Sequence, residues 1–208
     1  MTKKKIKRAV KTPPKKYTKA PGGSEEKLTF TGKVKKSLHG TKIEKLCCKA
    51  AFSAGLAFPK QSEESGIDRG LFRCSACAPH FLRGVFMASG SVNSPEKGHH
   101  LEMKVYGRDK AASLAKVLEE NGFEAGISAR RSSDIVYFKD GEVIFGFLNY
   151  IGAQKCAFDF LEVIIEKQVR NDCNRKTNFD AANMLKTATA GKRQLDAIRY
   201  FYETGEID

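Results

Sequence analysis

The chain has 208 residues, of which 41% are hydrophobic and 10% aromatic, so it is long and apolar enough for one domain with a buried core. Its formal net charge is +13, but nine of its first twenty residues are Lys or Arg with no acid among them, which leaves +4 for the other 188. It has neither the apolar run of a membrane span nor that of a signal peptide, which excludes membrane and secreted classes and predicts a cytoplasmic protein with reduced thiols.

Residues 1–27 are predicted to be a disordered basic tail. Lysine runs alternate there with Pro13-Pro14 and Pro21-Gly22-Gly23, and such a mixture buries too little apolar area to order itself. A tail of this kind neutralises phosphates without reading sequence, whereas the alternative is a solubilising tail with no dedicated partner. Its candidate phosphate-binding residues are Lys3, Lys4, Lys5, Lys7 and Arg8.

Residues 28–72 are predicted to hold N-terminal helices and a loop. A short helix or an extended arm is expected over residues 28–38, and a second helix over about residues 42–57. The segment PKQSEESGIDRG that follows is rich in Pro, Ser and Gly, which is typical of a loop.

The segment HFLRGVFMASGSVN, residues 80–93, predicts a helix that packs against another helix. One largely apolar stripe at helical spacing is formed by Leu82, Val85, Phe86 and Ser89. Gly84 and Ala88 form a second stripe with almost no side chain, so that another helix can approach closely. Gly90 is expected to end the helix in the left-handed conformation.

The upstream helix repeats this arrangement of small residues. In CCKAAFSAGLAF, residues 47–58, the small pair is Ala50 and Ala54, which superimposes on Gly84 and Ala88. Two helices with matching small faces predict a pseudo-twofold pair with these four alanines and glycines at the interface.

Six cysteines include the pairs Cys47-Cys48 and Cys74-x-x-Cys77, with His80 three residues further on. Ligand types and the two-residue gap suit a tetrahedral zinc site. Against this interpretation, one pair lies within an apolar helix, and free cysteine often serves as a small buried hydrophobe. A thioredoxin-like redox motif would follow a strand, which is not predicted here. We expect buried thiols, with no metal and no cofactor.

Residues 73–155 are predicted to form an α+β unit with an antiparallel sheet. Apolar residues alternate over residues 100–107, as in a strand with one covered face. Two further strands, over about residues 124–130 and 135–139, are joined by a polar segment as in a hairpin.

Two helices flank these strands. The first is predicted to be capped by Asp109 and to end at Asn121-Gly122. The second is predicted to open at Asp140-Gly141 and to close at Gly152.

Residues 156–208 are predicted to be a C-terminal helical extension, with Phe158, Leu161 and Ile165 on an apolar face. Beyond it, amides and cations recur at helical spacing on this helix and the next: Arg170, Asn171, Asn174, Arg175, Asn178, Asn183 and Lys186. Asn is a poor helix former, so its repeated use implies partners for its side chains. Those partners are either phosphates and base edges or an internal hydrogen-bond network, and physical arguments alone slightly favour the network.

The segment LRGVFMASG resembles a degenerate LAGLIDADG helix, on which homing endonucleases of that family pair their two halves. The family's metal-binding acid, at the eighth position of each helix, is replaced by Ser89 and Gly55, neither of which is a hard-cation ligand. The Asn and Arg spacing of residues 170–187, FLRGVFMASGSVNSPEKGHHLE and the cysteines before each helix resemble the WhiA-type regulators of sporulation and cell division. The resemblance implies a bacterial transcription regulator without nuclease activity.

Two departures from that family limit what it implies. Only 24 residues separate Leu56 from Phe81, whereas a complete repeat of strands and helices needs at least ~60. The chain also ends at Asp208, and we expect no room for a helix-turn-helix. The predicted fold is therefore α+β: a single LAGLIDADG-like repeat with a disordered basic N-terminal tail and a C-terminal helical extension.

These inferences predict a non-enzymatic, nucleoid-associated regulator that binds DNA through the tail and the seven helical residues. Loss of half a pseudo-dimer further predicts a homodimer, with possible protein partners in transcription or cell division. Two rival functions stay open at this point: a protein-interaction scaffold that does not bind nucleic acid, and a homodimeric metal-dependent LAGLIDADG endonuclease.

Overall fold

The computed structural model describes residues 28–60, 66–130 and 132–205, and the predicted tail of residues 1–27 lies outside this part of the chain. The described residues form six α-helices and four strands. In chain order these are α1 (Phe30–His39), α2 (Leu46–Ala57), α3 (Cys77–Ser89), β1 (Gly90–Val92), β2 (Leu101–Val105), α4 (Arg108–Glu120), β3 (Gly126–Arg130), β4 (Ser133–Phe138), α5 (Gly141–Tyr150) and α6 (Gln154–Thr204).

The four strands form one antiparallel sheet in the order β1-β2-β4-β3. The predicted alternation in β2 is confirmed, because Leu101, Met103 and Val105 are all fully buried. The predicted hairpin is also confirmed, with Arg130 of β3 opposite Ser133 of β4. Together with the helices, this sheet confirms the predicted α+β class.

Aromatic side chains fill the core between the sheet and its helices. Phe147 of α5 lies 5.3 Å from Phe138 of β4 and 6.2 Å from Phe86 of α3, measured between ring centroids. Phe123, in the loop after α4, packs edge-on against Phe147 at 5.7 Å. Such tilted and edge-to-face arrangements are the favourable ones for aromatic pairs. One aromatic cluster therefore joins α3, α5 and the sheet.

The helix boundaries confirm some predicted caps and correct others. Asp140 caps α5 by accepting from the backbone N–H groups of Glu142 and Val143, and Gly152 follows with a φ of +96°. The prediction of Asp109 as a cap is wrong, because the chain turns from β2 into α4 through Gly107, whose φ is +102°, without a side-chain cap. Gly90 is not left-handed either; its φ is −76° and it begins β1. A Cβ at Gly90 would lie 2.6 Å from the carbonyl oxygen of Phe86, so this site requires glycine for space.

The predicted pairing of α2 with α3 is present, but its register is wrong. The backbones meet at Gly55 and Gly84: a Cβ at Gly84 would lie 2.8 Å from the backbone nitrogen of Leu56, and one at Gly55 would lie 3.1 Å from that of Val85. Both positions therefore need glycine so that the backbones can touch.

Of the four residues predicted at this interface, Gly84 lies at the crossing, whereas the three alanines lie around it. Ala50 is exposed, and Ala54, like Ala88, is only partly buried, whereas Ala51 is fully buried. The sequence allowed either register because α2 offers two small pairs four residues apart, Ala50 with Ala54 and Ala51 with Gly55. Only the crossing point distinguishes them.

The corrected register also changes which residue matches Ser89. Gly55 and Gly84 contact each other's helix symmetrically, so residues of α2 correspond to residues of α3 that are 29 positions later. Ser89 then corresponds to Lys60, and the earlier assignment of Gly55 to that position is wrong. Neither Ser89 nor Lys60 is a carboxylate, so the pair still lacks hard-cation ligands at this end.

Between α2 and α3, the described residues contain two short 3-10 turns, Phe58–Lys60 and Arg69–Leu71, and no strand. Lys110 of α4 reaches this region, where its Nζ donates to the carbonyl of Phe58 at 3.1 Å. None of the described helices is both long and apolar enough to cross a membrane.

We predict that Gly84→Ala destabilises the protein by about 1–3 kcal/mol, because the added methyl group must push two packed backbones apart. The matched control is Gly191→Ala in α6, where a Cβ would meet nothing within 4 Å. That change should not lower the free energy of unfolding, since Ala is the better helix former. Urea unfolding of both variants tests this, and equal stabilities for Gly84→Ala and the wild type would contradict the close crossing.

Candidate nucleic-acid surface and cysteine cluster

The C-terminal extension is a single helix of 51 residues, α6, rather than the two predicted helices. It contains no proline and only one glycine, Gly191, so nothing in its sequence interrupts it before Gly205, whose φ is +68°. At 1.5 Å per residue, the helix is about 76 Å long.

Only the first four turns of α6 are attached to the body. Its buried residues are Cys156, Ala157, Phe160 and Ile164, and Phe160 packs on Phe30 and His99 with ring centroids 5.8 and 5.9 Å away. Lys167 then donates to the carbonyls of Pro95 and Glu96, at 2.6 and 2.8 Å. Beyond Lys167 the helix projects away from the body, and its side chains are exposed.

The predicted apolar face of α6 does not face the core. Phe158 and Ile165 are 60% and 50% exposed, while the neighbouring stripe of Ala157, Phe160 and Ile164 is buried. Both stripes have helical spacing, so the sequence pattern does not choose between them. The outer stripe of Phe158, Ile165 and Val169 is left as an exposed apolar surface.

All seven predicted nucleic-acid residues of α6 are exposed. At 100° per residue, five of them lie within an arc of about 140°, which we call the amide face: Arg170, Asn171, Asn174, Arg175 and Asn178. Lys186 borders this arc, and Asn183 lies outside it. The arc continues the line of Phe160 and Ile164, so the helix side that packs on the body becomes the amide face further along.

The internal hydrogen-bond network that the sequence slightly favoured is not formed among the residues that the structure describes. In residues 168–204, the side-chain hydrogen bonds are those of threonines to their own helix, such as Thr177 to the carbonyl of Cys173. None of the seven predicted residues makes one within the described chain. Their donors and acceptors therefore face solvent.

A continuous helix adds residues to the amide face that were not predicted. Lys192, Arg193 and Arg199 fall on the same arc of about 140–160° once the helix is carried through without a break. Helical angles alone would have identified them if a single helix had been assumed. The predicted tail residues Lys3, Lys4, Lys5, Lys7 and Arg8 lie outside the described residues.

The structure also brings together four cysteines from two helices and a turn. The Sγ atoms of Cys47, Cys48, Cys74 and Cys77 all lie within 4.8 Å of one another, and all four thiols are free. Cys74 is central, with its Sγ 3.5 Å from that of Cys77, 3.6 Å from that of Cys48 and 3.7 Å from that of Cys47. The predicted buried thiols thus form one cluster, a geometry suited to the zinc interpretation that the sequence ranked lower.

Hydrogen bonds within this cluster lower the pKa of one thiol and raise the pKa of two others. The thiol of Cys77 and the backbone N–H of Ala76 donate toward Cys74, which lowers the pKa of Cys74 to about 7. Burial and the hydrogen bond with Cys74 raise the pKa of Cys48 to about 12. The hydrogen bond with Cys74 also raises the pKa of Cys47. Of these three thiols, Cys74 is therefore the most acidic.

Comparison with known proteins agrees with this fold. The family of the WhiA LAGLIDADG-like domain matches residues 78–170, which include α3 except for Cys77, the whole sheet and the attached part of α6. Residues 78–170 are therefore similar to a WhiA LAGLIDADG-like domain.

Relatives named "Probable cell division protein WhiA" extend the match. The protein of Thermoanaerobacter sp. is 34% identical over 69% of this chain and 45% of its own length. That of Desulforudis audaxviator is 41% identical over 64% of this chain and 43% of its own length. The chain thus spans less than half the length of these WhiA relatives.

Solved WhiA structures share the fold. Full-length DUF199/WhiA from Thermotoga maritima superimposes with a TM-score of 0.66 at 22% identity, covering 84% of this chain and 80% of that one. The N-terminal LAGLIDADG domain of DUF199/WhiA gives a TM-score of 0.52 at 18% identity, covering 61% of this chain and 94% of that one. At these identities the likeness concerns the architecture alone.

We predict that Asn174→Ala and Asn178→Ala do not destabilise this WhiA-like chain. Neither side chain has a partner in the described structure, and Ala is the better helix former by up to about 0.7 kcal/mol. Thermal unfolding followed by circular dichroism should give midpoints equal to or above that of the wild type. A clear fall in the midpoint would reveal an intramolecular role for these amides.

Proposed function

We propose that the chain is a non-catalytic, DNA-binding regulator of WhiA type that acts at the nucleoid in transcription, sporulation or cell division. The observation that carries this proposal is the amide face of α6, which presents guanidinium and amide groups to solvent without partners in the described chain. Residues Arg170, Asn171, Asn174, Arg175, Asn178, Asn183 and Lys186 are its proposed contacts, assisted by the tail lysines.

The charge distribution on α6 supports an anionic partner for this face. Between Arg170 and Arg193 the amide face carries no acidic residue, and Asp196 is the first acid on it; Asp172 and Asp180 lie on the opposite side of the helix. Arg pairs with phosphates or guanine, and Asn pairs with adenine or phosphates. An α-helix also fits the major groove of DNA, so an unpacked helix with such a face has a suitable shape.

The absence of carboxylates at the family's metal positions supports a role without catalysis. Ser89 and its counterpart Lys60 offer no charged oxygen to a magnesium ion, and Lys60 would repel one. A homodimeric endonuclease would need such ligands from one of these positions. Incubation of the chain with DNA and magnesium or manganese tests this rival, and cleavage would refute the proposal.

A second candidate function, self-association, is favoured by the outer stripe of α6. Phe158, Ile165 and Val169 are 60%, 50% and 58% exposed on the same side of α6, with Ile165 two turns after Phe158 and Val169 one turn after Ile165. Contiguous exposed apolar residues of this kind mark protein interfaces. We propose a second copy of the chain as the partner, which is compatible with DNA binding because the amide face points elsewhere.

For DNA binding, the sharpest comparison is Arg175→Ala against Lys176→Ala. Both changes remove one positive charge from exposed neighbours, but only Arg175 lies on the amide face. The logarithm of the DNA association constant falls linearly with the logarithm of salt concentration. If the Arg175 side chain contacts one phosphate, Arg175→Ala should make this negative slope shallower by about 0.9. Lys176→Ala should leave the slope near that of the wild type. Fluorescence anisotropy with duplex DNA across a salt series measures both.

The same titration without residues 1–27 separates tail binding from helix binding. If the amide face binds DNA, the truncated chain keeps a salt-dependent affinity that Arg175→Ala weakens. If all affinity disappears with the tail, or if the two variants behave alike, the amide face is not the binding surface. No binding by any form would leave the protein-interaction scaffold as the better account.

For self-association, we predict that Ile165→Glu shifts the chain from dimer to monomer in sedimentation velocity at micromolar concentration, because a buried carboxylate without a partner is costly. Ala181→Glu adds the same charge on the other side of α6 and should leave the dimer intact. A wild-type chain that sediments as a monomer at every concentration would refute the proposed dimer.

A further inference from the structure

The four clustered cysteines lie at the N-terminal ends of α2 and α3. In both helices a cysteine stands at the same distance before the glycine of the crossing. Cys48 is seven residues before Gly55, and Cys77 is seven residues before Gly84. Seven residues are two helical turns, so each of these thiols lies on the same side of its helix as the crossing glycine. Cys47 is adjacent to Cys48, and Cys74 lies in the turn that leads into α3.

We propose that these thiols hold a structural zinc ion with four thiolate ligands: Cys47, Cys48, Cys74 and Cys77. Zinc bound to four thiolates at about 2.3 Å in a tetrahedron requires sulfur atoms about 3.8 Å apart. The separations from the Cys74 Sγ are 3.5, 3.6 and 3.7 Å, and no pair exceeds 4.8 Å. The thiols need only small adjustments to surround an ion.

Other occupants fit this spacing less well. A disulfide requires bonded sulfurs, about 2.05 Å apart, and would join the four thiols only in pairs. An iron–sulfur cluster places inorganic sulfide between its irons and holds the cysteine sulfurs farther apart. Calcium and magnesium prefer oxygen ligands. A single thiophilic ion is therefore the occupant that the four sulfur atoms suit.

The ends of both helices suit the charge of such a site. Binding releases four thiol protons to solvent and leaves a net charge of −2 on the ion and its ligands. Neither α2 nor α3 has a side-chain cap at its N-terminus or an acid in its first turn. The positive dipole ends of both helices would stabilise the anionic site.

A bound ion would also add a link between α2 and α3, where α2 buries few large apolar side chains. The buried residues of α2 are Cys48, Ala51 and Gly55, all small, while Leu46 is 82% and Leu56 is 37% exposed. The buried side chains of α2 therefore contribute little apolar area to its attachment, which depends on the close backbone crossing with α3. A tetrahedral site whose ligands come from both helices would fix their N-terminal ends together.

Metal analysis of the full chain, purified with a reductant, tests this inference. The wild type should contain one zinc ion per chain by mass spectrometry of the metal. Cys74→Ser should lose most of that zinc, and it is the variant of choice because Cys74 is only partly buried. Cys173→Ser is the matched control, since Cys173 is exposed on α6, and it should keep its zinc.

Cobalt substitution gives a second readout that does not require a folded variant. Wild-type chain loaded with cobalt(II) should show the intense ligand-field and sulfur-to-metal absorption of a tetrahedral thiolate site, and zinc should abolish it. Chelation should lower the thermal midpoint, and added zinc should restore it. Zinc-free wild-type protein that fails to bind cobalt, unchanged zinc in Cys74→Ser, stoichiometric iron, or disulfides among the four cysteines would each overturn the proposal.

Discussion

The contact between the backbones of α2 and α3 at Gly55 and Gly84 is the constraint on which the architecture depends. Because no side chain separates the two helices there, their register is fixed by shape and not by the apolar pattern of either helix. The crossing leaves the opposite side of α3 free to place Leu82 and Phe86 in the core, where Phe86 meets Phe147. In this way α3 joins α2 on one side to the sheet and α5 on the other.

The second constraint is the length of α6. Its first four turns are buried against α1 and α5, and Lys167 marks the last contact with the body. Beyond that point the helix has no tertiary packing within the described residues, and its stability comes from continuity with an anchored segment, since a helix extends more easily than it nucleates. A helix in this position presents all its faces to solvent. The amide face and the outer apolar stripe are therefore available to two different partners at once.

Strands and helix ends were predictable wherever a local rule decides them. The alternation of Leu101, Met103 and Val105 gave β2, and Asp140 gave the start of α5, because one face of a strand and one cap depend on neighbouring residues only. The register of α2 was not predictable, since Ala50 with Ala54 and Ala51 with Gly55 are equivalent patterns. The prediction of the buried side of α6 was wrong for the same reason, because Phe158 and Phe160 both begin apolar stripes. Such choices depend on contacts between elements, which a single sequence does not contain.

The cysteine cluster is the clearest case of a contact between elements that the sequence alone does not determine. Cys47-Cys48 and Cys74-x-x-Cys77 are separated by 25 residues of chain, and only the crossing at the glycines brings their sulfurs together. At the opposite end of the pair lie Ser89, the last residue of α3, and Lys60, in the turn after α2, and neither offers the oxygen ligand that a catalytic hard cation needs. The four cysteines, which are soft ligands, thus lie at one end of the pseudo-twofold helix pair. The positions at which the family has carboxylates lie at the other end. Because thiolates favour tetrahedral, closed coordination by the protein alone, a metal held at the cysteine end would stabilise the pair without an open position for catalysis.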